Sequence, residues 1–219
     1  MNLLTQIVAL IRKDLLLEWR QRYAISGIFL YIMSSAMVVY LSFTEIKPMV
    51  WVSVFWIILL FASVNAVAKS FMQENPGRQL YYYTIASPQA VILAKMIYNI
   101  FLLLLLAAIG VGVFSLLIGN PIRKLPLFFG AVALGASSFS MCFTLISAIA
   151  AKAGRSATLM PILSFPIILP MLALLIQISK AAAIGIEDVN MTKDFSILLA
   201  MNVMLVALSF ILFPFLWRD

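Results

Sequence analysis

The side chains able to do covalent or metal chemistry are few in this chain. There is no histidine and one cysteine, Cys142. Without histidine, the usual general base of serine-nucleophile catalysis, the HExxH zinc site and the commonest axial ligand for a porphyrin iron are all missing. A single thiol builds neither a disulfide framework nor a metal cluster. Cys142 stands among Ser137, Ser138, Ser140 and Thr144 in an apolar run, so it is expected to be a packing residue. No GxxxxGK[ST] phosphate-binding pattern occurs, so the chain is not expected to hydrolyse a nucleotide itself. No catalytic, cofactor-binding or metal-binding residue is expected.

The elements that position these residues follow from composition. Of 219 residues, 64% are hydrophobic and 11% charged, with a mean hydropathy of +1.11, whereas soluble domains carry about 25% charged residues. A soluble globule is excluded. Six uncharged runs are long enough to cross a hydrocarbon core, which takes about 20 residues: Tyr23 to Thr44, Pro48 to Ala68, Met96 to Ile122, Leu125 to Ala151, Ser156 to Ser179 and Phe195 to Trp217. Runs such as Phe101 to Ala108 are apolar on every face, which suits helices and not the alternation of a membrane barrel. The expected fold is all-α and polytopic, one domain over 1–219. Its spans lie at about 23–44, 48–68, 90–118, 126–151, 157–178 and 195–217.

Six spans place both termini on one side. That side collects Arg12, Lys13, Arg20, Arg22, Lys69, Arg78, Lys95, Lys152, Arg155 and Arg218, and the other Lys47, Arg123, Lys124, Lys180 and Lys193. The positive-inside bias therefore predicts cytoplasmic termini. Residues 1–22 precede the first span as an amphipathic segment. Leu4, Ile7, Val8, Ile11, Leu15 and Trp19 recur every three or four residues, while Gln6, Arg12, Lys13 and Arg20 stand off that stripe. The pattern predicts a helix running along the cytoplasmic leaflet; an ordinary juxtamembrane anchor is the alternative.

The longest cytoplasmic connection runs from Lys69 to about Pro88. Asn75 is placed to cap a short helix with Pro76 at its first position, and Ser87 and Pro88 repeat the device at the third span. The short helix presents Arg78, Gln79 and tyrosines to a cytoplasmic partner, or Tyr81, Tyr82 and Tyr83 form an interfacial aromatic belt; the residues leave both readings open. On the far side, Lys180 to Asp194 is read as a solvated charged turn, with a binding surface as the alternative.

No acid or arginine lies inside a span, and Lys69 and Lys95 are close enough to helix ends to reach the headgroups. A carrier driven by its own ionisable residues is disfavoured, so the motive force is expected from another protein. Asn65, Asn99, Asn202, Gln177 and the series Ser137, Ser138, Ser140, Thr144 and Ser147 are expected to bridge helices, and Ala131 with Gly135 to mark a close helix contact, within the subunit or across a dimer. Pro161, Pro166 and Pro170 predict a kinked or broken fifth span.

Taken together, the lead-in Ile11-Arg12-Lys13-Asp14-Leu15-Leu16-Leu17-Glu18-Trp19-Arg20, the six spans and the connection closing in Ser87-Pro88-Gln89-Ala90-Val91-Ile92-Leu93-Ala94-Lys95 resemble one family over nearly the whole chain. It resembles heme exporter protein B (CcmB), a permease of the ABC-2 type in the cytochrome c maturation system. The basic-acidic lead-in and the Ser-Pro pair are shared with other ABC-2-type permeases; the compact length without a large external domain favours the haem-maturation branch.

The resemblance implies a multi-pass permease of the bacterial inner membrane, a homodimer in its complex. Its partners would be a separate ABC ATP-binding subunit (CcmA-like), other cytochrome c maturation membrane subunits and a periplasmic haem chaperone. ATP would act through the partner subunit, and haem would be a ligand transported or otherwise handled. Arg12, Lys13, Asp14, Glu18, Trp19 and Arg20 would form the interfacial helix. Glu74, Gly77, Arg78, Gln79, Leu80, Ser87, Pro88 and Lys95 would form the ATPase-coupling surface. The connection departs from the family pattern in its Asn75-Pro76 pair, its three consecutive tyrosines and its few acids. Alternatives are an ABC-2-type permease for a lipid, polysaccharide or drug, a non-transporting membrane scaffold, and a sodium-coupled carrier.

Overall fold

The computed structural model describes residues 3–20, 23–68, 86–152, 156–185 and 191–218. The expected Asn75–Pro76 cap, the coupling residues Glu74, Gly77, Arg78, Gln79 and Leu80, and Tyr81 to Tyr83 lie outside the described residues, as do Lys69, Arg155, Glu187 and Asp188 and the side chains of Trp19 and Arg20.

The described residues are all-α, in seven helices: α1 (Leu3–Arg20), α2 (Tyr23–Ser42), α3 (Pro48–Ala68), α4 (Pro88–Leu117), α5 (Leu125–Lys152), α6 (Ser156–Ile184) and α7 (Met191–Arg218). Each of α2 to α7 contains most of one uncharged run, where a backbone without water must bond within its own segment, and α4 to α7 extend past their runs to charged residues such as Lys95, Lys152, Lys180 and Asp194. Five helices, α3 to α7, are long and apolar enough to cross a membrane. The sixth expected span, 23–44, is represented by α2, 20 residues from Tyr23 to Ser42. Gly119 at φ +89° and Gly185 at φ +83° follow the last turns of α4 and α6, conformations that a side chain would strain.

α6 runs unbroken from Ser156 to Ile184 through Pro161, Pro166 and Pro170, so the break allowed for in the sequence does not occur. Bonds above and below each proline keep the helix continuous, and Ser164 Oγ donates to the Pro161 carbonyl at 3.0 Å.

α5 is the most enclosed helix, packing against α3, α4, α6 and α7. At the end of the bundle carrying Gly119, the core is aromatic. Trp51, Phe55, Phe114 and Phe128 lie 5.5 to 5.9 Å apart between ring centres, and Trp51 Nε1 donates to the Gly119 carbonyl at 3.0 Å. Trp56 donates from Nε1 to Ser179 Oγ at 2.9 Å, and its six-membered ring covers Gly135, where a Cβ would collide with it. The Ala131–Gly135 stripe therefore serves a contact inside the subunit, since Gly135 is the floor beneath a tryptophan from α3. Cys142 is fully buried in the same core.

Candidate functional site

The opposite end of the bundle, where α4 begins, is polar. Ser87 caps α4 with extended backbone, its Oγ accepting from Ala90 N at 3.3 Å, and Pro88 follows in the first turn, as the sequence predicts. The same hydroxyl donates to Gln6 Oε1 at 3.1 Å, and the Ser87 backbone N–H donates to that oxygen at 3.1 Å. One serine thus closes the helix and ties it to α1.

Two further polar contacts join α1 to α4. Lys95 Nζ lies 3.7 Å from Asp14 Oδ2, and Lys13 Nζ lies 3.0 Å from Asp14 Oδ1. One turn on, Tyr98 donates its hydroxyl proton to Glu18 Oε2 at 3.1 Å. Gln6 and Ser87 are 81 positions apart and Glu18 and Tyr98 are 80 apart, and the Asp14–Lys95 pair keeps the same offset. Offsets that stay within one residue over three turns mean that the helices run side by side in the same direction. Between these contacts Ile7 packs on Ala90 and Ala94, with Leu10, Ile11, Leu93 and Ile97 around them. Two alanines where α1 approaches allow the close spacing.

This docking sorts the charges of α1. Asp14 and Glu18 turn toward α4, whereas Arg12 is exposed. Asp14 and Lys95 side chains are only 10% and 6% exposed. Lys95 therefore reaches inward to a carboxylate and not outward to headgroups, because the buried charge of Asp14 requires a partner that water cannot provide there. Of the apolar stripe expected on α1, Ile7 is buried, while Leu4, Val8 and Leu15 remain exposed. Pro88 is half-buried.

From this end α4 connects to the rest of the bundle. Asn99 Nδ2 donates to Thr144 Oγ1 at 2.8 Å, and Ser140 Oγ donates to the Met96 carbonyl at 2.9 Å. Val91, Ile92 and Met96 pack with Ala148 of α5 and Phe213 of α7. Displacement of Ser87 would therefore be felt by α1, α5 and α7 together. Other polar residues expected to bridge helices do not: Asn65, Ser137 and Ser138 bond to carbonyls of their own helices, and Gln177 is exposed. Ser147 Oγ and Asn202 Oδ1 are buried with no hydrogen-bond partner among the described residues.

Two contributors were not singled out in the sequence. Tyr98 had a detectable signal, because it stands three residues from Lys95 as Glu18 stands four from Asp14, the spacing of neighbours on one helix face. Ser179 had a weaker one: the Trp56 indole, in mid-span, needs an acceptor. Among the described residues no group of three metal-ligating side chains comes together. The arrangement is mechanical, a helix fastened along the first turns of a span.

The sequence profile of a family described as CcmB protein matches residues 5–216. No curated protein matches the chain.

Proposed function

The chain belongs to the CcmB family, a membrane component of the ABC-type haem exporter system of cytochrome c maturation, and we propose that it is the permease that converts ATP-driven closure of a separate ATP-binding subunit into movement of the bundle. The observation that carries this reading is the double role of Ser87. It ends the connection 69–85, it caps α4, and it is held by Gln6 of α1. A push on the connection would arrive at one residue and leave through α1, α4, α5 and α7.

In this reading, two permeases of the ABC-2 type pair with two ATP-binding subunits in the bacterial inner membrane, with six spans and both termini cytoplasmic. Glu74, Gly77, Arg78, Gln79 and Leu80 meet the ATPase, and Arg12 lies on the same side. The motion serves haem delivery or release of the haem-loaded periplasmic chaperone. The sparse ionisable content of the spans supports an external energy source, and the missing histidine supports a subunit that does not itself ligate haem.

Affinity purification of the chain from its native membrane, with mass spectrometry of what stays bound, tests the reading. Recovery of an ATP-binding subunit together with cytochrome c maturation proteins is expected. An ATPase with unrelated partners would change the cargo to another substrate, and no ATPase at all would overturn the permease.

A further inference from the structure

Docking on α4 leaves α1 with an outer face of different character from its sequence average. α1 has two acids, Asp14 and Glu18, and both bond toward α4 or its neighbours. Val8, Arg12 and Leu16 are spaced by four and so form one row on the helix. All three are exposed, with Val8 at 65% and Leu16 at 62%. An open groove of about 570 Å³ lies along this row, lined by Val8, Ala9, Arg12, Leu16 and Leu17 among others. The groove is mostly apolar, with the Arg12 guanidinium at its middle and Lys13, itself paired with Asp14, beside it; among the described residues no carboxylate lines it.

We propose that this face of α1 binds the headgroup and upper acyl chain of an anionic phospholipid, the guanidinium of Arg12 holding the phosphate and Val8, Leu16 and Leu17 the chain. The depth is right for such a ligand. α4 has 30 residues, about 45 Å at 1.5 Å per residue, against a hydrocarbon core of about 30 Å. Counting about twenty residues back from Leu117 ends the core near Tyr98. The turns from Ser87 to Ile97, where α1 is fastened, then stand at headgroup level. Charge complementarity selects the lipid class: with its acids turned inward, the helix offers a planar, multiply donating cation suited to a phosphate oxygen pair. A zwitterionic surface supplies phosphates but no net attraction, whereas an anionic one adds about five-fold in binding for one basic side chain. Anionic lipid would thereby hold α1 against α4 and stiffen the site at Ser87.

The full chain, reconstituted in phosphatidylcholine nanodiscs with or without phosphatidylglycerol, tests this by hydrogen exchange of the α1 amides. Protection is expected to rise about five-fold with phosphatidylglycerol, to lose that gain in Arg12→Gln, and to keep most of it in Arg12→Lys. Raised salt on the unaltered chain gives a second measure that needs no variant, and the gain should shrink. Equal protection in both lipids, a gain undiminished in Arg12→Gln, or protection that appears only on adding the ATP-binding subunit and ignores lipid charge would each overturn the proposal. The readout needs neither ATPase nor haem, so its failure would leave the coupling role untouched.

Discussion

Lys95 Nζ sits 3.7 Å from Asp14 Oδ2, with both side chains nearly enclosed between α1 and α4. Breaking a buried pair costs up to roughly 3 to 5 kcal/mol, and less on removing Lys95, because Asp14 keeps Lys13 at 3.0 Å. The pair therefore fixes register as much as stability. A slip of α1 by one residue would separate it, and would also part Gln6 from Ser87 and Glu18 from Tyr98.

Ser87→Ala is expected to weaken two contacts at once. Losing an N-cap hydroxyl costs about 1 kcal/mol, and the tether to Gln6 is left with the backbone N–H alone. Hydrogen exchange at Ala90, whose N–H the hydroxyl satisfies, should speed by about five-fold in this variant. Gln6→Ala should leave that exchange closer to normal, since the cap survives while the α1 contact is lost.

Gly135→Ala is expected to destabilise the bundle by about 1 to 3 kcal/mol, the usual cost of forcing a methyl group into a packed core. The added carbon meets the ring of Trp56, which is held by its bond to Ser179 and has little freedom to withdraw. A lowered unfolding midpoint in detergent, together with a changed Trp56 fluorescence, would check it. Ser179→Ala leaves the indole N–H without its acceptor and should cost about 1 kcal/mol.

Across α4 and α5, Asn99→Leu and Thr144→Val are expected to be non-additive. Interhelical hydrogen bonds in membranes couple by about 0.6 kcal/mol on average. A double-mutant cycle on unfolding free energy should return a value of that size for this pair. A cycle between Asn99 and Ser179, whose hydroxyl accepts from Trp56 instead, should return a smaller value.

Much of this architecture is legible in the amino-acid order, and the reasons are physical. Uncharged runs between Lys124 and Lys152, or Asp194 and Arg218, can only be helices in a bilayer, so α5 and α7 follow from charge placement alone. Ser87 and Pro88 announce the start of α4 because local cap chemistry does not depend on tertiary contacts. What pairs with what is less legible. Lys95 looks, by position, like a residue reaching for headgroups, and only the approach of α1 reveals Asp14 as its partner. Ser137 and Ser140 are indistinguishable in sequence, yet one bonds back to Ala133 and the other crosses to Met96, because they stand on different faces of α5. Likewise, the stripe on α1 predicts an apolar face but not that Ile7 would spend its share on Ala90 and Ala94.

The central claim, that α1 is fastened in register to α4 and must be for the permease to work, is tested most directly by exchanging the charges of Asp14 and Lys95. In cells that rely on the altered chain, the yield of mature c-type cytochrome should fall at least ten-fold in Asp14→Lys and in Lys95→Asp, because like charges then face each other in a buried site. The double exchange should recover a large part of that loss at equal membrane abundance. Single variants that mature cytochrome normally, or a double exchange no better than the worse single, would contradict the account.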